Sequence, residues 1–341
     1  LFYTGALSKQ ILATVKQHGG ILSAQDLADY RVRERAPLRA TRLGYDWATA
    51  PLPSAGGYTI MTSLALLERW LPTDAHFKSN ERLHALIESW KGPYLDRQGY
   101  FGDPDFVKVP LDQLLSPERI EARAAVYHPA LALPASAYTQ PLPEPPATAK
   151  NPDNRGTSHL CVVDAEGNVA SVTTTVNLLF GSGISVAGLW LNDEMDDFAR
   201  EVGEENAFGL IGGAPNLPAK GKRPISSMSP SIVFENGQPV LCVGGSGGSR
   251  IPTAVEQVAL YVLKDGMHPQ QAVSAPRVHH QADPAQAEVK GMAAAVREEL
   301  SKRGHKVVET QWSAQVQAIR IAEGRLLPAS DPGKGGEPRG E

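Results

Sequence analysis

Cysteine is scarce in this chain: Cys161 and Cys242 are the only two among 341 residues. Both sit in apolar, strand-like runs and read as two buried thiols rather than a disulfide. No Cys/His spacing fits a zinc site. Long apolar runs are lacking too, and no stretch approaches the ~20 residues of a membrane-spanning helix. An excess of one charge sign is also missing. The 33 Lys and Arg against 37 Asp and Glu leave a formal net charge of −4, which argues against nucleic acid as a partner, since that calls for a basic patch. The chain opens at Leu1 without a signal-peptide pattern, and it is expected to be a mature, trimmed or fragmentary polypeptide.

What is present suits a layered domain. A hydrophobic content of 42% is ample for a core, and the length allows one large domain or two of ~100–200 residues. Residues 6–18 and 25–30 read as helices, with Gly19-Gly20 stopping the first and Ser23 capping the second. Arg39 to Ala50 reads as a strand pair, Pro51 to Gly57 as a turn, and Tyr58 to Trp70 as a helix. Asn80 to Tyr100 is expected to be a long amphipathic helix. Leu131 to Arg155 is rich in proline and reads as exposed and extended. Strands follow. Ser158 to Asp164 and Val169 to Asn177 form one expected hairpin. Ser231 to Phe234 and Val240 to Val243 form another, around Asn236-Gly237. Helices are expected at about 251–265, closed by Gly266, and about 289–303, closed by Gly304. Strands in the middle with helices around them fit an α/β layered fold.

Five ordered words carry the chemistry: Gly102-Asp-Pro-Asp-Phe-Val-Lys-Val-Pro110, Thr157-Ser-His159, Leu191-Asn-Asp-Glu-Met-Asp-Asp-Phe198, Arg223-Pro-Ile-Ser-Ser-Met-Ser-Pro230 and Gly244-Gly-Ser-Gly-Gly-Ser-Arg250. A threonine hydroxyl is a weak nucleophile without a base. At a chain start its own α-amine, with a pKa of ~7.7–8.0, can serve. Thr157 follows Gly156, a residue that tolerates unusual backbone angles. Alternation along the second strand puts Thr173, Thr175 and Asn177 on one face. Glu194 and Asp197 are carboxylates three apart, suited to an ammonium group, and Ser226-Ser227 sits in a proline-bounded loop. The glycines of 244–248 precede a helix with Ser249 as cap and Pro252 in its first turn, where backbone N–H groups can meet developing negative charge. A phosphate-binding loop is the rival reading, but GxxxxGK[ST] is absent. The histidines assemble no triad or metal set.

In these words the chain resembles γ-glutamyltransferase (γ-glutamyl transpeptidase), an N-terminal-nucleophile hydrolase. The resemblance implies an αββα sandwich, incomplete at the N-terminus. Residues 1–156 would be the end of the large subunit and 157–341 the small subunit, interleaved in one domain. It implies autocleavage at Gly156–Thr157 and then attack by Thr157 on the γ-carbonyl of glutathione or a related γ-glutamyl amide. The acyl group would pass to water or to an amino acid or peptide amine. Thr175 would polarise the nucleophile, and Gly247 and Gly248 would form the oxyanion hole. Asn177, Glu194, Asp197, Ser226 and Ser227 would hold the donor's amino-acid end. No cofactor or metal is implied, and the family's usual place is periplasmic or secreted. A related acylase, specific for cephalosporins or poly-γ-glutamate, and an inactive fragment are the alternatives.

Departures from the family pattern are Ser158 in place of a second threonine, Phe208 in place of a lid tyrosine, and Lys334 in place of an arginine. His279-His280 resembles a structural pair. The resemblance also places a donor-binding arginine ahead of Leu1, so the chain by itself is expected to be poorly active.

Overall fold

Leu43 and Gly44, at φ of 53° and 86°, close the first strand pair, β1 (Leu38–Arg42) and β2 (Tyr45–Thr49), with the left-handed backbone a tight hairpin needs. The computed structural model describes residues 2–73, 81–140, 156–311 and 313–340. The proline-rich reading of 141–155 lies outside the described residues, as does Asn80. Asn236 and Gly237 repeat the positive-φ turn between β7 (Ser231–Glu235) and β8 (Gln238–Ser246). With β12 (Gln315–Ala322) and β13 (Arg325–Ser330), these strands form one six-stranded antiparallel sheet, ordered β1-β2-β7-β8-β12-β13.

The sheet has two different faces. Leu241 and Val243 of β8 join the main core with Ile60, Leu64, Val255 and Val258 from helices Gly56–Trp70 and Ile251–Leu263. Each such fully buried aliphatic side chain contributes about 1.5–3 kcal/mol. On the other face, Cys242 and Gly244 meet a second layer, the hairpin β3 (Thr157–Val163) and β4 (Val169–Thr175). Helix, sheet and sheet thus stack in the order of the expected αββα sandwich. Small pairs complete the strands: β5 (Ser185–Val186) with β6 (Leu189–Trp190), and β9 (Arg277–His279), β10 (Ala287–Lys290) and β11 (Val307–Glu309) in a three-stranded sheet. No described helix is long and apolar enough to cross a membrane.

Several expectations need correction. Cys161 and Cys242 are not two thiols. They form a disulfide, 81 residues apart in sequence with Cα atoms 6.0 Å apart, because the β3–β4 hairpin packs across β8. The sequence shows both cysteines in strands, but not that packing. Helix Glu81–Tyr100 is buried nearly all round rather than amphipathic. Its polar groups are matched inside: Asp96 pairs with Arg119 and Arg123, each at 2.7 Å, and Glu88 accepts from Tyr138 at 2.6 Å. Tyr138 is itself fully buried at the end of a 3₁₀ turn, Ala135–Tyr138, while Leu131, Pro134, Ser136 and Thr139 around it are exposed as expected. The last expected helix begins at Ala294, since 287–290 is strand and Gly291 takes φ of 65°. Ser249 does not cap its helix but donates to Gln281 Oε1 at 2.7 Å. Ser23 does cap, in a reciprocal box with Asp26.

Candidate active site

Thr157 starts β3 directly opposite Thr175 of β4, and their Oγ1 atoms lie 2.9 Å apart. Asn177 N–H donates to Thr175 Oγ1 at 2.8 Å. That bond uses an acceptor lone pair and keeps the Thr175 proton available for Thr157. Lys334 Nζ donates to the Thr157 carbonyl at 2.6 Å, fixing the peptide plane on the other side of the same residue. Thr157 is buried. The preceding position admits only glycine, because a Cβ on Gly156 would run into the carbonyl oxygens of Asn177 and Leu178.

Asn177 sits just past the strand at φ of 71°. Its side chain turns back to donate to the Asp193 carbonyl at 3.3 Å. The following turn, Glu194–Asp197, is 3₁₀ and brings Glu194 and Asp197 to the cleft that the threonine pair also lines. Asn206 Nδ2 donates to Asp197 Oδ1 at 3.1 Å, and Asn216 Nδ2 to its carbonyl at 2.8 Å. Glu194 Oε1 is buried with no hydrogen-bond partner. Burial pushes the Asp197 carboxyl well up, and the Glu194 charge adds to this against the opposing pull of buried Arg97. Burial likewise raises Glu194. Two carboxyls short of compensating positive charge make a site that gains from an incoming ammonium. Asp196 turns elsewhere and accepts from the Ala207 N–H at 2.9 Å.

The glycine loop follows β8. Gly247 takes φ of 139° and Gly248 φ of 58°, angles that L side chains rarely adopt. A Cβ on Gly248 would strike the Phe208 ring, and one on Gly247 would lie 2.6 Å from Ala314 Cα. Ser226 is held by backbone bonds to Pro53 and Ala55 at 3.1 and 2.9 Å.

One cleft, with about 290 Å³ of empty space, brings these groups together. It is lined by Thr157, Thr175, Asn177, Glu194, Asp197, Ser226, Ser227 and Gly248, with Phe208, Met228 and Ile251. Of the residues expected to catalyse or hold the donor, Gly247 alone does not line it, being backed against Ala314. The sequence reading missed Ile251, an ordinary apolar residue just past a recognised word, and gave no role to Met228 inside one. It also missed Arg97 and Asn206, which carry no local motif. Lys334 was visible only as a departure.

The histidines stay outside the cleft. His159 follows Thr157 on the same strand face, its Nδ1 2.9 Å from Thr173 Oγ1 and its Nε2 3.4 Å from Cys161 Sγ. Burial brings it down to about 4. His279 bonds Thr253 and Gln281 at 2.8 and 3.0 Å, and burial also brings it to about 4. The arginines near the glycine and serine words are engaged: Arg250 with Glu288 at 2.6 and 3.0 Å, and Arg223 with the Arg31 carbonyl at 2.8 Å. Two groups of metal-ligating side chains converge among the described residues. In His159–Cys161–Cys242 the sulfurs are bonded to each other. In His84–Glu88–His305 the imidazoles bond each other at 2.7 Å while Glu88 meets Lys91 and Tyr138.

Comparison with known proteins gives the following. A family model described as gamma-glutamyltranspeptidase matches residues 1–340. The glutathione hydrolase proenzyme of Pseudomonas aeruginosa is 40% identical over 343 residues, covering 97% of this chain and 59% of its own length. The corresponding proenzyme of Escherichia coli is 37% identical over 335 residues, covering 97% and 57%. This chain therefore spans less than two thirds of the length of those relatives. A solved chain of a mutant Helicobacter pylori gamma-glutamyltranspeptidase is 42% identical with a TM-score of 0.50, over 52% of this chain and 99% of that one. Cephalosporin acylase from Bacillus halodurans superposes with a TM-score of 0.80 at 26% identity, over 97% of this chain and 57% of its own.

Proposed function

The chain belongs to the γ-glutamyltranspeptidase family, and from that premise we propose that it is the γ-glutamyl-transferring part of an autocleaving enzyme. Residues 1–156 are the end of the large subunit and 157–341 the small subunit. The observation that carries this reading is the Thr157–Thr175 hydroxyl pair at 2.9 Å, set in the same cleft as Glu194, Asp197, Ser226 and Ser227.

Cleavage at Gly156–Thr157 frees the Thr157 amine to take the proton of its own hydroxyl. Oγ1 then attacks the γ-carbonyl of glutathione or a related γ-glutamyl amide, with Thr175 donating to Oγ1. Backbone N–H groups of Gly247 and Gly248 receive the oxyanion. Losing one such donor costs roughly 10²–10³ in turnover in a model enzyme. Glu194 and Asp197 take the α-ammonium, and Asn177, Ser226 and Ser227 the rest of the amino-acid end. Water or an amine then releases the acyl group. The likeness to cephalosporin acylase supports a shared fold. The paired carboxylates lining the cleft favour an α-amino-acid donor over a cephalosporin side chain.

The test is N-terminal sequencing of the mature small chain of the full-length protein, together with turnover of a γ-glutamyl anilide. A start at Thr157 and measurable turnover are expected, and Thr157→Ala should abolish both. An active preparation that remains uncut sinks the reading.

A further inference from the structure

Thr157, His159 and Cys161 lie along one face of β3, and that face is turned to β8. Strand β8 leads from Cys242 through Gly244 into Gly247 and Gly248. β3 and β8 belong to different sheets and share no backbone ladder. The Cys161–Cys242 bond cross-links the strand bearing the nucleophile to the strand bearing the oxyanion glycines. The two cysteines differ in exposure. Cys242 is fully buried, whereas half-buried Cys161 borders a cleft separate from the donor site, with about 680 Å³ of empty space and with His159, Gln317, Ser330 and Arg339 on its walls. Arg339 on that wall is paired with Glu337, also on the wall, at 3.7 Å. A neutral His159 Nε2, 3.4 Å from Cys161 Sγ, can donate to a thiolate formed there.

We infer that Cys161–Cys242 is a reducible positioning element, opened by small-molecule thiols at Cys161, and that its opening loosens the alignment of Thr157 with Gly248. The inference rests on Thr157 being the nucleophile. A thiolate attacks Cys161 Sγ and forms a mixed disulfide. The Cys161–Cys242 bond breaks, and its electron pair leaves with the Cys242 sulfur, which takes up a proton. A second thiolate attacks the outer sulfur and releases Cys161 as a thiolate, which is protonated in turn. Two small thiols become one small disulfide, and the protein pair gains two electrons and two protons. The donor proposed above is itself a thiol, as is the peptide it leaves, so turnover supplies the reductant.

The full-length, processed enzyme is equilibrated across ratios of reduced to oxidised dithiothreitol. Cys161 and Cys242 are then alkylated and counted by mass, and initial rates are taken with a γ-glutamyl anilide, a donor without a thiol. Reduction is expected to lower kcat on the order of 10–100-fold, the scale of a misplacement of about 1 Å. The donor KM should hold, because Glu194, Asp197 and the serine pair lie on other segments, and reoxidation should restore kcat. The double variant Cys161→Ser, Cys242→Ser should be slow and insensitive to dithiothreitol. Where that variant fails to mature, the wild-type titration decides. Full alkylation of both cysteines with kcat unchanged overturns the inference, as does a double variant that still responds. No turnover in the fully oxidised enzyme instead overturns the γ-glutamyl reading, and this inference with it.

Discussion

Thr157 and Thr175 are cross-strand partners at the open end of a hairpin, with hydroxyl oxygens 2.9 Å apart. That bond is available only because β3 and β4 are in this register. A slip of one residue would put the two side chains on opposite faces. The pair couples the fold to the chemistry more directly than any other contact in the cleft.

Replacing Thr175 with Val keeps the shape and removes the donor. A hydrogen bond to a group that develops charge is worth about 1.5–3 kcal/mol, so kcat should fall about 10–100-fold with little change in donor KM. Thr175→Ser should recover most of the loss. Steady-state kinetics on processed enzyme checks this, and equal kcat for Val and Ser would remove Thr175 from the mechanism.

The acidic limb of the pH–rate profile should lie above the ordinary carboxylate range of ~3.9–4.3. On the proposed reading Glu194 and Asp197 must be ionised to receive the α-ammonium; burial raises both, and the Glu194 charge raises Asp197 further. Donor binding is therefore complete above the raised range and is lost as pH falls through it. Glu194→Gln removes the charge that raises Asp197, so the limb should move to lower pH even as KM rises. A limb that stays fixed in kcat/KM measured from pH 4 to 8 would place the titration elsewhere.

Glu256, fully buried, should make stability fall with rising pH. Burial raises its carboxyl to about 8, against the lowering effect of hydrogen bonds from Ser63 at 2.5 Å and Trp90 at 2.8 Å. The folded value lies above the unfolded one. The contribution is therefore fully present below the ordinary glutamate range, declines through neutrality and is gone above about pH 8. Glu256→Gln should flatten the dependence of Tm on pH between 5 and 8, and melting curves across that range check it. An unchanged slope would exclude Glu256 as its source.

Local signals made much of this legible. Asn236-Gly237 marks a turn because few residues accept positive φ, and the five words carried seven of the eleven residues lining the cleft. What escaped the sequence reading depends on contacts between distant segments. The Cys161–Cys242 bond requires the hairpin to lie across β8. The burial of helix Glu81–Tyr100 requires Arg119, Arg123 and Tyr138 to supply partners for its charges. Arg97 enters the site's electrostatics from that same helix, far from any word a local pattern could flag.

The order β1-β2-β7-β8-β12-β13 gives a cut between Gly156 and Thr157 an unusual consequence. Strands β1 and β2 lie on one side of the cut in sequence and β7, β8, β12 and β13 on the other. Yet Asp46 to Thr49 pair residue for residue with Phe234 to Ser231, and Ile60 and Leu64 share a core with Val255 and Val258. The two products would be joined by a hydrogen-bonded ladder and by half of one hydrophobic interior each, rather than by a surface patch. Separating them would be unfolding, so the pair should behave in dilution as a single polypeptide with an extra pair of ends.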